Sequence, residues 1–186
     1  MSIFYKTALF LLFSLSFGTF LSGQNIIRWI SWNDLPSKMD KSDRKFVVYL
    51  YYDGCKWCKV MEQSTLSDDH IARFVNNNFY ALRLNALSTE KISIADKNYK
   101  NVTVGKHDFN ELAVELSGGE MKFPNIVFLN EKFEKIQAIP EYIPVTEFEV
   151  ILSYFAGNHH KNTLFKRFSK NYCKESHFNT LVNGKH

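Results

Sequence analysis

Apolar residues along this chain fall into short runs, each broken by a turn or cap signal. Phe46-Val47-Val48-Tyr49-Leu50-Tyr51-Tyr52 is a continuous apolar, β-rich run of the kind buried in a central parallel strand. It breaks at Asp53-Gly54. An aromatic lead-in, Ile26 to Trp32, and a short helix capped by Asn33-Asp34, with Pro36 in its first turn and an end near Lys41, precede it. From Cys55 to about Leu66 the pattern is helical, and Ser67-Asp68-Asp69 caps a second helix whose stripe is Ile71, Phe74 and Val75. Phe79 to Leu84 reads as the next strand, and the polar stretch from Ser88 to about Val104 as an irregular loop. Asp108 with Glu111 resembles a capping box that opens a helix through Leu116, ended by Gly118-Gly119. Ile126 to Leu129 is a strand, Asn130-Glu131-Lys132 a tight turn, and Phe133 to Ile139 the antiparallel mate. Thr146 with Glu149 caps a last helix carrying Phe148, Ile151, Leu152 and Phe155.

This order predicts an α/β fold. A parallel βαβ half joined to an antiparallel hairpin half gives a mixed central sheet with helices on both faces. The 186 residues suffice for one domain with a proper core, placed at residues 24–157. Residues 158–186 form a basic C-terminal tail or an extra helix, with Phe165, Phe168 and Tyr172 as anchors. A hydrophobic fraction of 45%, with 17 Phe and 9 Tyr, excludes a disordered chain. The net charge of +4 is spread over interleaved Lys, Arg, Asp and Glu, so no basic block marks a nucleic-acid partner.

The N-terminus changes the picture. Met1 to Lys6 is short and basic, Thr7 to Ser22 is almost wholly apolar, and the small pair Ser22-Gly23 precedes polar Gln24-Asn25. That order is expected of a secretory signal peptide, residues 1–23. The apolar run is shorter than the ~20 residues a spanning helix needs, so an uncleaved membrane tether is the alternative. Gln24 stands where a lipidated Cys would be required. The expectation is an exported protein, periplasmic in a bacterium, where thiols pair or turn over.

Three cysteines are then read in that light: Cys55 and Cys58 are close enough to pair, and Cys173 is left unmatched. Cys-x-x-Cys spacing also occurs in zinc sites, but here it sits where a buried strand meets a helix. The first Cys of such a junction lies among free backbone N–H groups and the positive end of the helix dipole, which favour a thiolate. Lys56 and Lys59 add positive charge and are expected to lower the thiol pKa further. Cys55 is therefore the expected nucleophile, and Cys58, one turn on, the resolving thiol. An inert structural bridge is the poorer reading, because a loop this small constrains the unfolded chain little. Phe123-Pro124 precedes a strand, where a proline is tolerated; its bond could be cis or trans.

The run YLYYDGCKWCKVMEQSTLSDDHIARFVNNNFYALRLNA, followed by GGEMKFPNIVFLNE, resembles the thioredoxin superfamily. More narrowly it resembles the exported branch that includes the periplasmic C-terminal domain of the bacterial disulfide-interchange reductant conductor. The resemblance spans roughly Trp29 to Gly157. It implies a thioredoxin-like fold, a cis Pro124 beside the cysteine pair, and a client peptide paired along the backbone around Phe123. Trp57, Phe123 and Pro124 are the expected substrate-contacting residues. Implied partners are exported client proteins with disulfides and a membrane or soluble redox partner, with the chain a monomer and no resident cofactor.

Two departures stand out. The superfamily's Trp-Cys-Gly-Pro-Cys is here Gly54-Cys55-Lys56-Trp57-Cys58, and its buried acid, six residues before the first Cys, falls on Tyr49. Tyr49 either faces the cysteines or is plain core pointing away from them. Two rival functions follow. One is a metal handler, most credibly for copper, with the two cysteines as soft ligands. His70, His107, His159 and His160 have no spacing that completes its site, so no metal ligand is assigned. The other rival is an interaction module that has lost turnover.

Overall fold

In the computed structural model, residues 26–40, 43–94 and 96–172 are described. The central sheet has the order β2-β1-β7-β8, with β1 Lys45–Tyr51, β2 Phe79–Asn85, β7 Asn125–Leu129 and β8 Lys135–Pro140. β1 pairs with β2 in parallel (Val47 opposite Ala81) and with β7 antiparallel (Val48 opposite Val127), so the mixed sheet expected from the pattern is present. The lead-in runs beside β2 through a parallel bridge between Trp29 and Ala81, and Ile30 N–H donates to the Ala81 carbonyl at 2.8 Å.

Alternation along β1 sends its side chains into two separate cores. Val47 and Tyr49 face one side, with Phe79, Ala81, Ile126 and Phe128. That side is covered by α2 (Lys56–Gln63), α3 (Asp69–Asn78) and α5 (Val145–Ala156). Phe128 and Phe155 stack there at 4.1 Å. Phe46, Val48 and Leu50 face the other side, covered by Leu35 of α1 (Leu35–Met39) and by Leu112, Ala113 and Leu116 of α4 (Glu111–Ser117). Both faces of β1 being apolar is why its sequence reads as one unbroken run.

Three sequence expectations need correction. The stretch from Ser88 to Val104 is not an irregular loop. It holds the hairpin β3 (Ile92–Ile94)–β4 (Lys97–Tyr99) and strand β5 (Asn101–Val104), which pairs with β6 (His107–Asn110). Ile92, Ile94, Tyr99 and Phe109 turn inward and extend the second core. Asp108 does not cap a helix; it lies in β6 and accepts a bond from Thr103 Oγ1 at 2.7 Å. The cap of α4 is Asn110, whose Oδ1 accepts from Leu112 N–H at 3.0 Å. At α5, Thr146 and Glu149 make no capping box: the helix starts behind Pro144 without a side-chain cap, and Glu149 instead accepts from Tyr172 Oη at 2.9 Å. The front helix starts as expected, with Asp34 at its N-cap position though without a side-chain bond, behind a 3₁₀ turn, Trp32–Asp34, whose own cap is Ser31.

Beyond Gly157, residues 159–161 make a 3₁₀ turn and residues 165–172 are helical. Phe168 packs against Tyr154 at 5.2 Å and against His159 at 4.5 Å. The expected signal peptide and Cys173 lie outside the described residues. Among the described residues no helix is long and apolar enough to cross a membrane.

Candidate functional site

The site is built where β1 ends. Gly54 takes φ 89°, a left-handed value that glycine adopts at no steric cost, and it turns the chain from the strand into α2. Cys55 N–H donates back to the Tyr52 carbonyl at 3.2 Å, which fixes the entry to the helix. Cys55 is the N-cap of α2, and its Sγ accepts from Cys58 N–H at 3.1 Å. The sulfur thus takes one of the donors that every helix start leaves unpaired. Cys55 and Cys58 are joined in a disulfide, with S–S 1.99 Å and Cα–Cα 5.2 Å, and both are buried.

Lys56 and Lys59 are exposed on the first turn of α2, at the positive end of its dipole. Trp57 projects outward, 58% exposed, with its ring 5.8 Å from Tyr142. The Phe123-Pro124 bond is cis. Pro124 O accepts from Glu141 N–H at 2.7 Å, which ties the loop carrying Tyr142 to the start of β7. Trp57, Phe123, Glu141 and Tyr142 line one cavity of about 260 Å³. Of the three residues expected to meet a substrate, Trp57 and Phe123 line this cavity, and Pro124, next after Phe123 in sequence, is buried.

Tyr49 faces the cysteines. Its hydroxyl lies 3.2 Å from the Cys58 carbonyl oxygen and 3.2 Å from Glu62 Oε1. It has one proton for two acceptors, so it serves one fully at a time. Burial, then the Glu62 charge, push its pKa well above the ordinary tyrosine value. Tyr49 is a neutral donor here and not a base. The reading in which it points away from the pair is overturned by this contact.

Sequence reasoning missed Glu62, Glu141 and Tyr142. Glu62 was findable, because it lies four residues after Cys58 and so on the same side of α2. Tyr142 and Glu141 sit on a loop after β8 and reach the site only through tertiary folding. Of the histidines considered as ligands, His70 pairs with Glu149 at 3.3 Å, and His107 lies 6.1 Å from the Phe109 ring. Among the described residues no three His, Cys, Asp or Glu side chains cluster as a metal site.

The family model for the thioredoxin-like domain matches residues 33–156. No curated protein sequence matches the chain. Among solved structures, a thioredoxin-fold protein from Helicobacter pylori aligns with TM-score 0.53 at 14% identity, over 75% of this chain and 86% of that one. A DsbH oxidoreductase aligns with TM-score 0.51 at 11% identity, over 71% and 85%. A thioredoxin from Thermus thermophilus aligns with TM-score 0.51 at 17% identity, over 69% and 86%. At such identities the likeness is one of fold.

Proposed function

The chain belongs to the thioredoxin-like domain family, and from that premise we propose that this thiol–disulfide oxidoreductase reduces or isomerises disulfides of exported protein clients. The observation that carries the reading is the placement of Cys55: a sulfur at the N-cap of α2, held by the Cys58 N–H, beside an exposed Trp57. A thiolate in that position keeps the N–H donor and gains from the dipole, both of which favour the charged sulfur.

In the reducing direction, Cys55 thiolate attacks one sulfur of the client disulfide. A Cys55–client mixed disulfide forms, and the client's other sulfur leaves as a thiolate that takes a proton from solvent. Cys58, deprotonated in turn, attacks Cys55 Sγ and expels the second client thiolate. The client gains two electrons and two protons, and the chain is left in the Cys55–Cys58 disulfide form. A membrane or soluble redox partner returns two electrons by the same exchange in reverse. Trp57, Phe123 and Pro124 contact the client, which lies extended along the start of β7. Export follows the leader pattern of residues 1–23, with the periplasm of a bacterium as the compartment.

Insulin reduction with dithiothreitol as electron source tests the activity. The wild type should accelerate precipitation of the insulin chains and Cys55→Ser should not. Cys58→Ser should accumulate mixed disulfides with exported proteins, released by reductant and identifiable by mass spectrometry. No acceleration by the wild type, or no adducts on Cys58→Ser, would remove the reading.

A further inference from the structure

A second cavity of about 250 Å³ is lined by Tyr52, Leu87, His107, Phe109, Met121 and Phe123. Phe123 is the wall it shares with the Trp57–Tyr142 cavity. Its other side is closed by β6 of the β5–β6 hairpin, through His107 and Phe109. The rings fit together without filling the space: Tyr52 meets Phe123 edge-on at 5.4 Å, and Phe109 stacks on Phe123 at 6.2 Å.

The walls are held from behind. Asn110 N–H donates to Ala86 O at 2.8 Å, Asn110 Nδ2 to Glu90 O at 3.1 Å, and Glu111 N–H to Lys100 O at 2.7 Å. The two Asn110 bonds lock the hairpin to the segment carrying Leu87, and the third closes the hairpin's base. The cavity is thus preformed, and binding there would cost little ordering. Tyr52 also ties it to the chemistry, since its carbonyl receives the Cys55 N–H.

We propose that this cavity is a specificity subsite that takes one bulky apolar side chain, Phe or Leu in kind, adjacent to the reacting cysteine of an extended client segment. The proposal rests on the reading of the chain as a disulfide exchanger with protein clients. Three observations select that occupant. The cavity is below the ~300 Å³ at which small-molecule pockets begin, so it suits a single side chain. Its lining carries no acid, lysine or arginine, and Leu87 stands 40% exposed at its mouth. It is continuous, through Phe123, with the face where the client lies. Successive side chains of an extended peptide point to opposite sides. A peptide running across Phe123 therefore places neighbouring residues in the two cavities, one against Trp57 and Tyr142 and the next against Leu87 and Phe109.

The test uses the full-length reduced protein and two model peptides, each with one cysteine as a mixed disulfide to a chromogenic thiol. One has Phe next to that cysteine and the other has Gly. The wild type should release the thiol from the Phe peptide about tenfold or more faster, the range one apolar side chain gains in a fitted pocket. In Leu87→Asp, a change at an exposed position, the ratio of the two rates should fall close to one. Phe109→Leu, which keeps the core apolar, should lower it in part. The ratio is internal to each preparation, so a loss of folded protein does not imitate the effect. Equal rates on both peptides with wild type, or an unchanged ratio in Leu87→Asp, would overturn the subsite while leaving the oxidoreductase reading intact. Failure of the wild type to react with either peptide or with insulin would overturn both.

Discussion

The Tyr49 hydroxyl is held protonated by burial and by the Glu62 charge, so it cannot accept the proton that Cys58 must lose to act as a nucleophile. Glu62 Oε1, 3.2 Å from that hydroxyl, is the carboxylate that the α2 periodicity brings to the same place. General-base assistance from a positioned group is worth a hundredfold or so at the low end. Glu62 is exposed, and solvent shares the task, so a smaller effect is expected here. Glu62→Gln, which keeps a hydrogen-bond acceptor for Tyr49, should slow release of the mixed disulfide about tenfold near neutral pH. Stopped-flow fluorescence of Trp57 follows that step, and an unchanged rate would retire the role. Tyr49→Phe, by contrast, should cost about 1 kcal/mol of stability through the lost hydrogen bond. The resemblance put Tyr49 where the superfamily carries an acid, and Glu62 went unread although its place four residues after Cys58 sets it on the same side of α2. What the sequence could not show was which way Tyr49 points, because alternation assigns a strand residue to one of two faces without saying which face carries the cysteines.

Elements were legible in proportion to their length and the constancy of their burial. β1 is apolar on both faces, and α3 and α5 carry long stripes, so their patterns survive without tertiary information. β3 to β6 are three or four residues each, and they bury one or two residues apiece at most: Ile92 and Ile94 on β3, Tyr99 on β4, Phe109 and Asn110 on β6. Alternation over so few positions does not stand out from a polar loop. That gap concealed the hairpin wall of the proposed subsite. Capping behaved differently at the two ends of α4. The N-cap was misplaced because several Asx residues compete there, whereas Gly118 at the C-terminus was plain. Gly118 takes φ 73°, and its N–H closes on Glu115 O at 3.1 Å. A Cβ at that position would meet Lys135 Nζ at 3.3 Å, and that ammonium itself caps the Glu115 carbonyl at 2.9 Å. Gly118→Ala should therefore destabilise by about 1–2 kcal/mol, from the left-handed backbone more than from the displaced lysine. Urea unfolding of the oxidised protein would show it; a midpoint equal to the wild type's would mean that α4 ends without needing that conformation.

On the scale of the whole molecule, the first core is closed at its lower end by the turn and helical segment after Gly157, and this closure carries a titratable group. His160 lies 5.4 Å from the Phe155 ring and lines a mostly apolar cavity of about 440 Å³ with Ile136, Ile139 and Phe165, whose polar members are Gln137 and Glu147. Burial, then Lys45 and Lys161, lower its pKa from the ordinary 6.5, with Glu131 opposing in part. A histidine with a depressed folded pKa takes up its proton first in the unfolded chain. Its contribution is thus fully present above pH 6.5 and is lost as the pH falls from there toward the folded value. Glu131, held down chiefly by its bond from Lys45 Nζ at 2.8 Å, acts in the same direction at lower pH. It stabilises above its ordinary 4.5 and loses that effect as acid protonates it. Wild-type stability should therefore begin to fall below about pH 6.5, well before the carboxylates titrate. His160→Leu, an apolar side chain in an apolar wall, should remove this first decline and leave the drop below pH 4.5 in place. Urea midpoints of both oxidised proteins between pH 4 and 8 check it. Parallel curves would assign the decline to another group and leave His160 as packing alone.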